Sequence, residues 1–180
     1  MQRTIKYLMY SLLTAFILTS CGKGESLQSY YVDNQETKNF ISQDFPLSMV
    51  DIDKSGFTEE QKEAYNSVSK LNFLGYKSSD DNLETFKTEI TKVKTILSDE
   101  KYNDLMEFSD KGNKVSVKYI GNDDEAEEVI LFGSSPDMGF GIVRILGDDM
   151  SPDKMVTLIE ALKKADIDKS QLDNIMNFFK

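Results

Sequence analysis

KYNDLMEFSDKGNKVSVKYIGNDDEAEEVILFGSSPDMGFGIVRIL, residues 101–146, is where apolar side chains begin to recur at every second position. Val115, Val117 and Tyr119 alternate with Ser116 and Lys118, as a strand with one covered and one wet face requires. Three clusters of turn-forming residues punctuate the stretch: Asp110-Lys111-Gly112-Asn113, Gly121 to Glu125, and Ser134-Ser135-Pro136-Asp137. The spacing predicts four strands, over Tyr102–Phe108, around Val115–Tyr119, over Glu127–Phe132 and over Phe140–Leu146, joined as an antiparallel meander.

Upstream of the meander the apolar period is helical. Leu83, Phe86, Ile90, Val93 and Leu97 fall on one stripe of a helix starting near Asp81. A shorter helix is expected from Thr58, whose TEEQ sequence is a capping box, to about Ser69, with Ala64, Tyr65 and Val68 inward. LNFLGY, residues 71–76, reads as a strand, as does Asn39–Phe45 before Pro46, and Leu47–Val50 as one helical turn. Downstream, Ser151-Pro152 provides an N-cap with proline at the first helical position, and Met155, Leu158, Ile159 and Leu162 supply the buried stripe. A last helix is expected from Ser170, presenting Leu172, Ile175, Met176 and Phe179. The expectation is an α+β fold: an antiparallel meander sheet of about five to six strands with amphipathic helices packed on one face.

The amino end has a different character. Arg3 and Lys6 precede an apolar run of about a dozen residues, Tyr7 to Leu18, short of the roughly 20 that a membrane-spanning helix needs. The run ends at Leu18-Thr19-Ser20-Cys21, which holds the only cysteine in the chain and resembles a bacterial lipobox. That resemblance implies cleavage before Cys21 and acylation of its sulfur, with two or more acyl chains giving stable anchoring. Three segments are therefore expected: a lipoprotein signal peptide over 1–20, a lipidated Cys21 with a flexible tether to residue 37, and a single α+β domain over 38–180. Partners would be the membrane, through the lipid on Cys21, and an envelope protein.

Cleavage would remove two basic residues and no acidic ones, leaving 19 Lys+Arg against 31 Asp+Glu, a net charge of −12. Such a surface repels phosphate backbones, so nucleic acid is not an expected partner. The chain contains no histidine, which excludes Ser-His-Asp and Cys-His nucleophiles and the usual Cys/His zinc sites. No catalytic residue, cofactor site or metal site is assigned.

Several motifs invite a functional reading. DIDKSGFTEEQK, residues 51–62, imitates a calcium-binding EF-hand loop with Asp51, Asp53, Ser55, Gly56 and Glu59, but Lys62 stands where a bidentate Glu must close the shell. A second DIDKS, Asp166–Ser170, reads as another helix entry. Ser67-Val68-Ser69-Lys70 matches S-x-x-K without the companion motifs of penicillin-binding enzymes. The acidic run Asp123, Asp124, Glu125, Glu127 and Glu128 reads as a solvated turn, and Gly133, Gly139 and Gly141 as turn or bulge glycines, since the segment leads into a strand whereas phosphate loops open onto a helix. Arg144, the one arginine after Arg3, is expected in a cross-strand pair worth up to about 1 kcal/mol.

Read together, KLNFLGYK, DEKYNDLMEF, KVSVKY, EEVILFG, GFGIVRILGDDM and the closing helix, in that order behind a lipobox, resemble the DUF4252 lipoproteins of the Bacteroidota over about residues 36–180. The resemblance implies an α+β domain in the cell envelope, and it carries no assigned activity or site residues beyond Cys21. Surface-exposed lipoproteins of this phylum often have an acidic cluster just after the cysteine, a pattern from which Gly22-Lys23-Gly24-Glu25 departs, so the expected location is the periplasmic side of the outer membrane, with the cell surface as the alternative. Two functions are compatible with the residues: a non-catalytic protein-binding or envelope-assembly module, or a carboxylate-based hydrolase of envelope glycans, which needs two acids roughly 5 to 9.5 Å apart in a cleft.

Overall fold

A computed structural model describes residues 25–110, 112–165 and 173–180. Its centre is one six-stranded antiparallel sheet, in which β3 (Asn103–Asp110), β4 (Asn113–Gly121), β5 (Ala126–Ser135) and β6 (Gly139–Gly147) form the expected meander. β1 (Phe40–Pro46) pairs with β2 (Val68–Lys77), and β2 pairs with β6, giving the order β1-β2-β6-β5-β4-β3. The expected α+β class and antiparallel sheet are present.

Among the described residues five α-helices accompany the sheet: α1 (Leu27–Asn34), α2 (Glu59–Asn66), α3 (Leu83–Ile96), α4 (Pro152–Leu162) and α5 (Asp173–Phe178). They cover both faces, which corrects the expectation of one. Side chains alternate along a strand, so neighbours such as Val129 and Ile130 point to opposite sides. Ile130, Phe132, Phe140, Ile142, Leu74 and Tyr76 join a core with Leu27, Tyr30 and Tyr31 of α1 and Phe86, Val93 and Ile96 of α3. Val129, Ile145, Val117 and Tyr119 join another with Ala64 and Tyr65 of α2 and Met155 and Leu158 of α4. The result is three layers, α1/α3, sheet, and α2/α4.

The sequence-based boundaries hold for α3 and α4 and shift elsewhere. α2 ends at Asn66, and Val68, expected on its stripe, is already the first residue of β2, where it is buried in the second core. The expected tether is the larger correction. Within it, Leu27–Asn34 is a helix whose capping box is Ser26 with Ser29, and Tyr30 is completely buried. The folded body thus includes Ser26–Asn34, well before residue 38. Polar letters misled here because the buried side chains are tyrosines: the Tyr30 hydroxyl donates to Glu89 Oε2 at 2.8 Å, and that of Tyr31 to Asp44 Oδ1 at 2.8 Å. Each phenol satisfies its oxygen inside the fold while burying its ring. Cys21, the signal segment, the second DIDKS and the expected start of the last helix lie outside the described residues. Among the described residues, no helix is long and apolar enough to cross a membrane.

Candidate functional site

One concave feature of the sheet starts from three glycines. Gly75 of β2, Gly141 of β6 and Gly133 of β5 stand side by side in the sheet register, with Val115 of β4 next in line. Three adjacent strands therefore lack a side chain at the same level, and a trough crosses the α2/α4 face of the sheet. Phe73 fills one part, since a Cβ on Gly75 or Gly141 would come within 2.9 or 3.1 Å of its ring. Phe179, just after α5, lies edge-on to Phe73 with ring centroids 6.4 Å apart. At Gly133 the trough stays open: a Cβ there would meet only Val115, at 3.7 Å. The open part is a groove of about 630 Å³ walled by Val115, Met138, Phe140, Ile175, Met176 and Phe179, with Lys114 and Lys180 at its edge. Apolar walls with a few polar groups at this size are typical of ligand or peptide sites. Two of the walls are methionines, whose flexible side chains adapt to varied apolar partners.

This revises the reading of the glycines. Gly133 and Gly141 are mid-strand positions that make the trough, and only Gly139 serves the turn. Its φ is +123°, and a Cβ would run into the Tyr76 carbonyl oxygen.

On the opposite face a row of polar side chains crosses the sheet beneath α1. Asp44, Asn72 and Arg144 are cross-strand neighbours on β1, β2 and β6. Arg144 Nε and Nη2 donate to Glu128 Oε1 and Oε2 at 2.6 and 2.9 Å, with side chains only 13% and 12% exposed. The hydrogen bonds that it donates to Glu128 chiefly hold the Arg144 guanidinium above its ordinary value. The expected cross-strand pair is thus present, but buried, and burial raises the cost of breaking it well above that of a surface pair. Asp44 accepts from Tyr31 and pairs with Lys70 at 3.3 Å. Burial pushes the Asp44 carboxyl upward, but hydrogen bonds from Asn72, Tyr31 and Lys70 outweigh it and hold the group below the usual range. On α3, Glu89 accepts from Tyr30 and pairs with Lys92 at 2.7 Å, and the buried Tyr76 hydroxyl has no hydrogen-bond partner among the described residues.

The remaining sequence motifs resolve into local structure. In 51–62, Asp53 Oδ1 accepts from the Ser55 backbone N–H at 2.9 Å, and that bond holds its carboxyl below the usual range. Thr58 and Gln61 form the reciprocal capping box, and Glu59 reaches Lys62 at 2.8 Å. Ser67 and Lys70 of the S-x-x-K match sit at the α2/β2 junction, the Ser67 hydroxyl donating to the Ala64 carbonyl and Lys70 turned to Asp44. The acidic run splits: Asp123 accepts from the Tyr119 hydroxyl, Glu128 goes to Arg144, and Asn122 organises the turn by accepting from the backbone of Asp124 and Glu125. Among the described residues no group of three acids, cysteines or histidines is placed to hold a metal ion.

Asp104 and Glu107 are two acids that line one groove, of about 280 Å³, beside Lys94, Lys114 and Lys118. Their partners on β4, Lys118 and Ser116, are two residues apart, or about 7 Å along the strand. Asp104, however, is 86% exposed and paired with Lys118 at 2.6 Å, whereas a glycosidase acid is set in a pocket that desolvates it.

Residues 30–158 match the model of the family described as "Domain of unknown function (DUF4252)". No curated protein and no solved structure matches the chain.

Proposed function

The chain belongs to the DUF4252 family, and on that premise we propose that it is a lipid-anchored, non-catalytic binding module of the cell envelope. Cys21 carries the lipid, at an outer membrane and on its periplasmic side, and the domain presents its apolar groove to an envelope protein. The observation that carries this reading is the trough of Gly75, Gly141 and Gly133 roofed by the C-terminal residues. Phe73 occupies the space over Gly75 and Gly141, but Gly133 is left bare, and a glycine in a strand interior weakens a sheet by roughly 0.5–1 kcal/mol relative to alanine, a cost that a binding surface explains. The groove supports an inserted apolar side chain or short segment of a partner protein better than a catalytic centre. The titratable side chains along it are Lys114 and Lys180.

The test is crosslinking and pull-down from native envelopes, comparing the wild type with Gly133→Leu, which fills the groove, and with Cys21→Ala, which removes the acylation site. Loss of the same partner from Gly133→Leu, with its melting temperature preserved, supports the groove. Retention of every partner by that variant sinks it. The hydrolytic alternative would place chemistry at Asp104 and Glu107, and turnover of an envelope glycan abolished by Glu107→Gln would favour it.

A further inference from the structure

We infer that the outward face of α3, together with Glu25, is a membrane-facing surface that rests against the headgroups of the bilayer holding the lipid anchor. This rests on the acylation of Cys21 proposed above, and it follows from where the fold begins. Cys21 is four residues before Glu25, and four residues of extended chain reach at most about 14 Å. The headgroup zone occupies roughly 5–7 Å on each side of the hydrocarbon, so Glu25 stands less than one helix diameter, about 10–12 Å, above it.

The tether cannot lengthen cheaply. Releasing α1 would expose Leu27, Tyr30 and Tyr31, all buried in the core. It would also break the hydrogen bonds from Tyr30 to Glu89 and from Tyr31 to Asp44.

Glu25 fixes which surface is held down. It borders a shallow cleft of about 800 Å³ whose other wall is the exposed side of α3, including Lys87, Thr88, Thr91, Lys92 and Thr95. α1 and α3 together have three lysines against three acids, with Glu25 and Asp99 added at the cleft, whereas α2 and α4 have two lysines against five acids, in a chain whose net charge after cleavage is −12. Of the two helical layers, α1/α3 is the less acidic and the one an anionic headgroup layer repels less. α4, on the other side of the sheet, is then directed away from the membrane, as is the groove, which leaves them open to a partner.

The experiment uses the full acylated chain in vesicles of phosphatidylethanolamine and phosphatidylglycerol. An acylated Cys21 has no free thiol, so Thr91→Cys and Glu160→Cys each carry one site for a fluorescent probe, at exposed positions on α3 and α4. Quenching by a headgroup nitroxide lipid should be several-fold stronger at position 91 than at 160. An insert of about 20 Gly/Ser residues after Gly24, adding roughly 25 Å of reach, should erase the difference while the lipid stays in place. Equal quenching at the two positions in protein shown by mass spectrometry to be acylated overturns this inference and leaves the anchored module standing. Absence of acyl chains on the native protein overturns both.

Discussion

Arg144→Met should be among the most damaging single substitutions in the sheet, because it strands a carboxylate where water cannot replace the lost partner. Glu128 is 12% exposed and both its oxygens are taken by the guanidinium, at 2.6 and 2.9 Å. Removing one member of such a buried pair costs about 3–5 kcal/mol, whereas replacing both by apolar side chains is close to neutral or stabilising. For a domain of this size about 1 kcal/mol moves the melting temperature by 2–4 °C, so Arg144→Met should melt roughly 6–20 °C below the wild type. The double variant Arg144→Met with Glu128→Leu should recover most of that loss. Thermal melts at pH 7 should therefore place the single variant well below both the wild type and the double variant. A deficit under about 1 kcal/mol for Arg144→Met, or no recovery in the double variant, would refute the reasoning and return the pair to the class of solvated surface contacts.

Two further outcomes follow from particular positions. Gly133→Ala should gain roughly 0.5–1 kcal/mol in denaturant unfolding, because its Cβ meets only Val115 at 3.7 Å and a strand glycine carries excess unfolded-state freedom. Gly139→Ala should lose about 1–3 kcal/mol or more, since its φ of +123° and the Tyr76 carbonyl both oppose a side chain, and equal effects at the two glycines would contradict the trough. For Asp44 the folded-state value is depressed, so its contribution is present above the unfolded value near 3.9 and fades as pH falls through the folded one. Urea midpoints should therefore favour the wild type over Asp44→Asn at pH 6, with the gap narrowing as pH falls below the unfolded value, and a gap that does not narrow in acid would count against the network around Tyr31.

The last four strands and the helices α3 and α4 were legible from the letters, because alternation and the three-four spacing are local and their turns and caps lie within a few residues. The capping boxes, the solvated acidic turn and the exclusion of histidine chemistry belong to the same class. The rest required partners far apart in the chain. α1 carries its own signal, Leu27, Tyr30 and Tyr31 at helical spacing, yet what permits two tyrosines to be buried there is Glu89 and Asp44, 59 and 13 residues away. The trough depends on β2 pairing with β6, which puts Gly75 beside Gly141 across more than sixty residues of sequence. Alternation says that a strand has two faces and is silent on which helix covers each, so only the packed structure decided that α1 and α3 share one side and α2 and α4 the other. The sequence by itself determined the elements and the chemistry the chain lacks. The tertiary structure decided where the body begins, which charges are buried and where the sheet is hollow, because those depend on register between distant strands rather than on local periodicity.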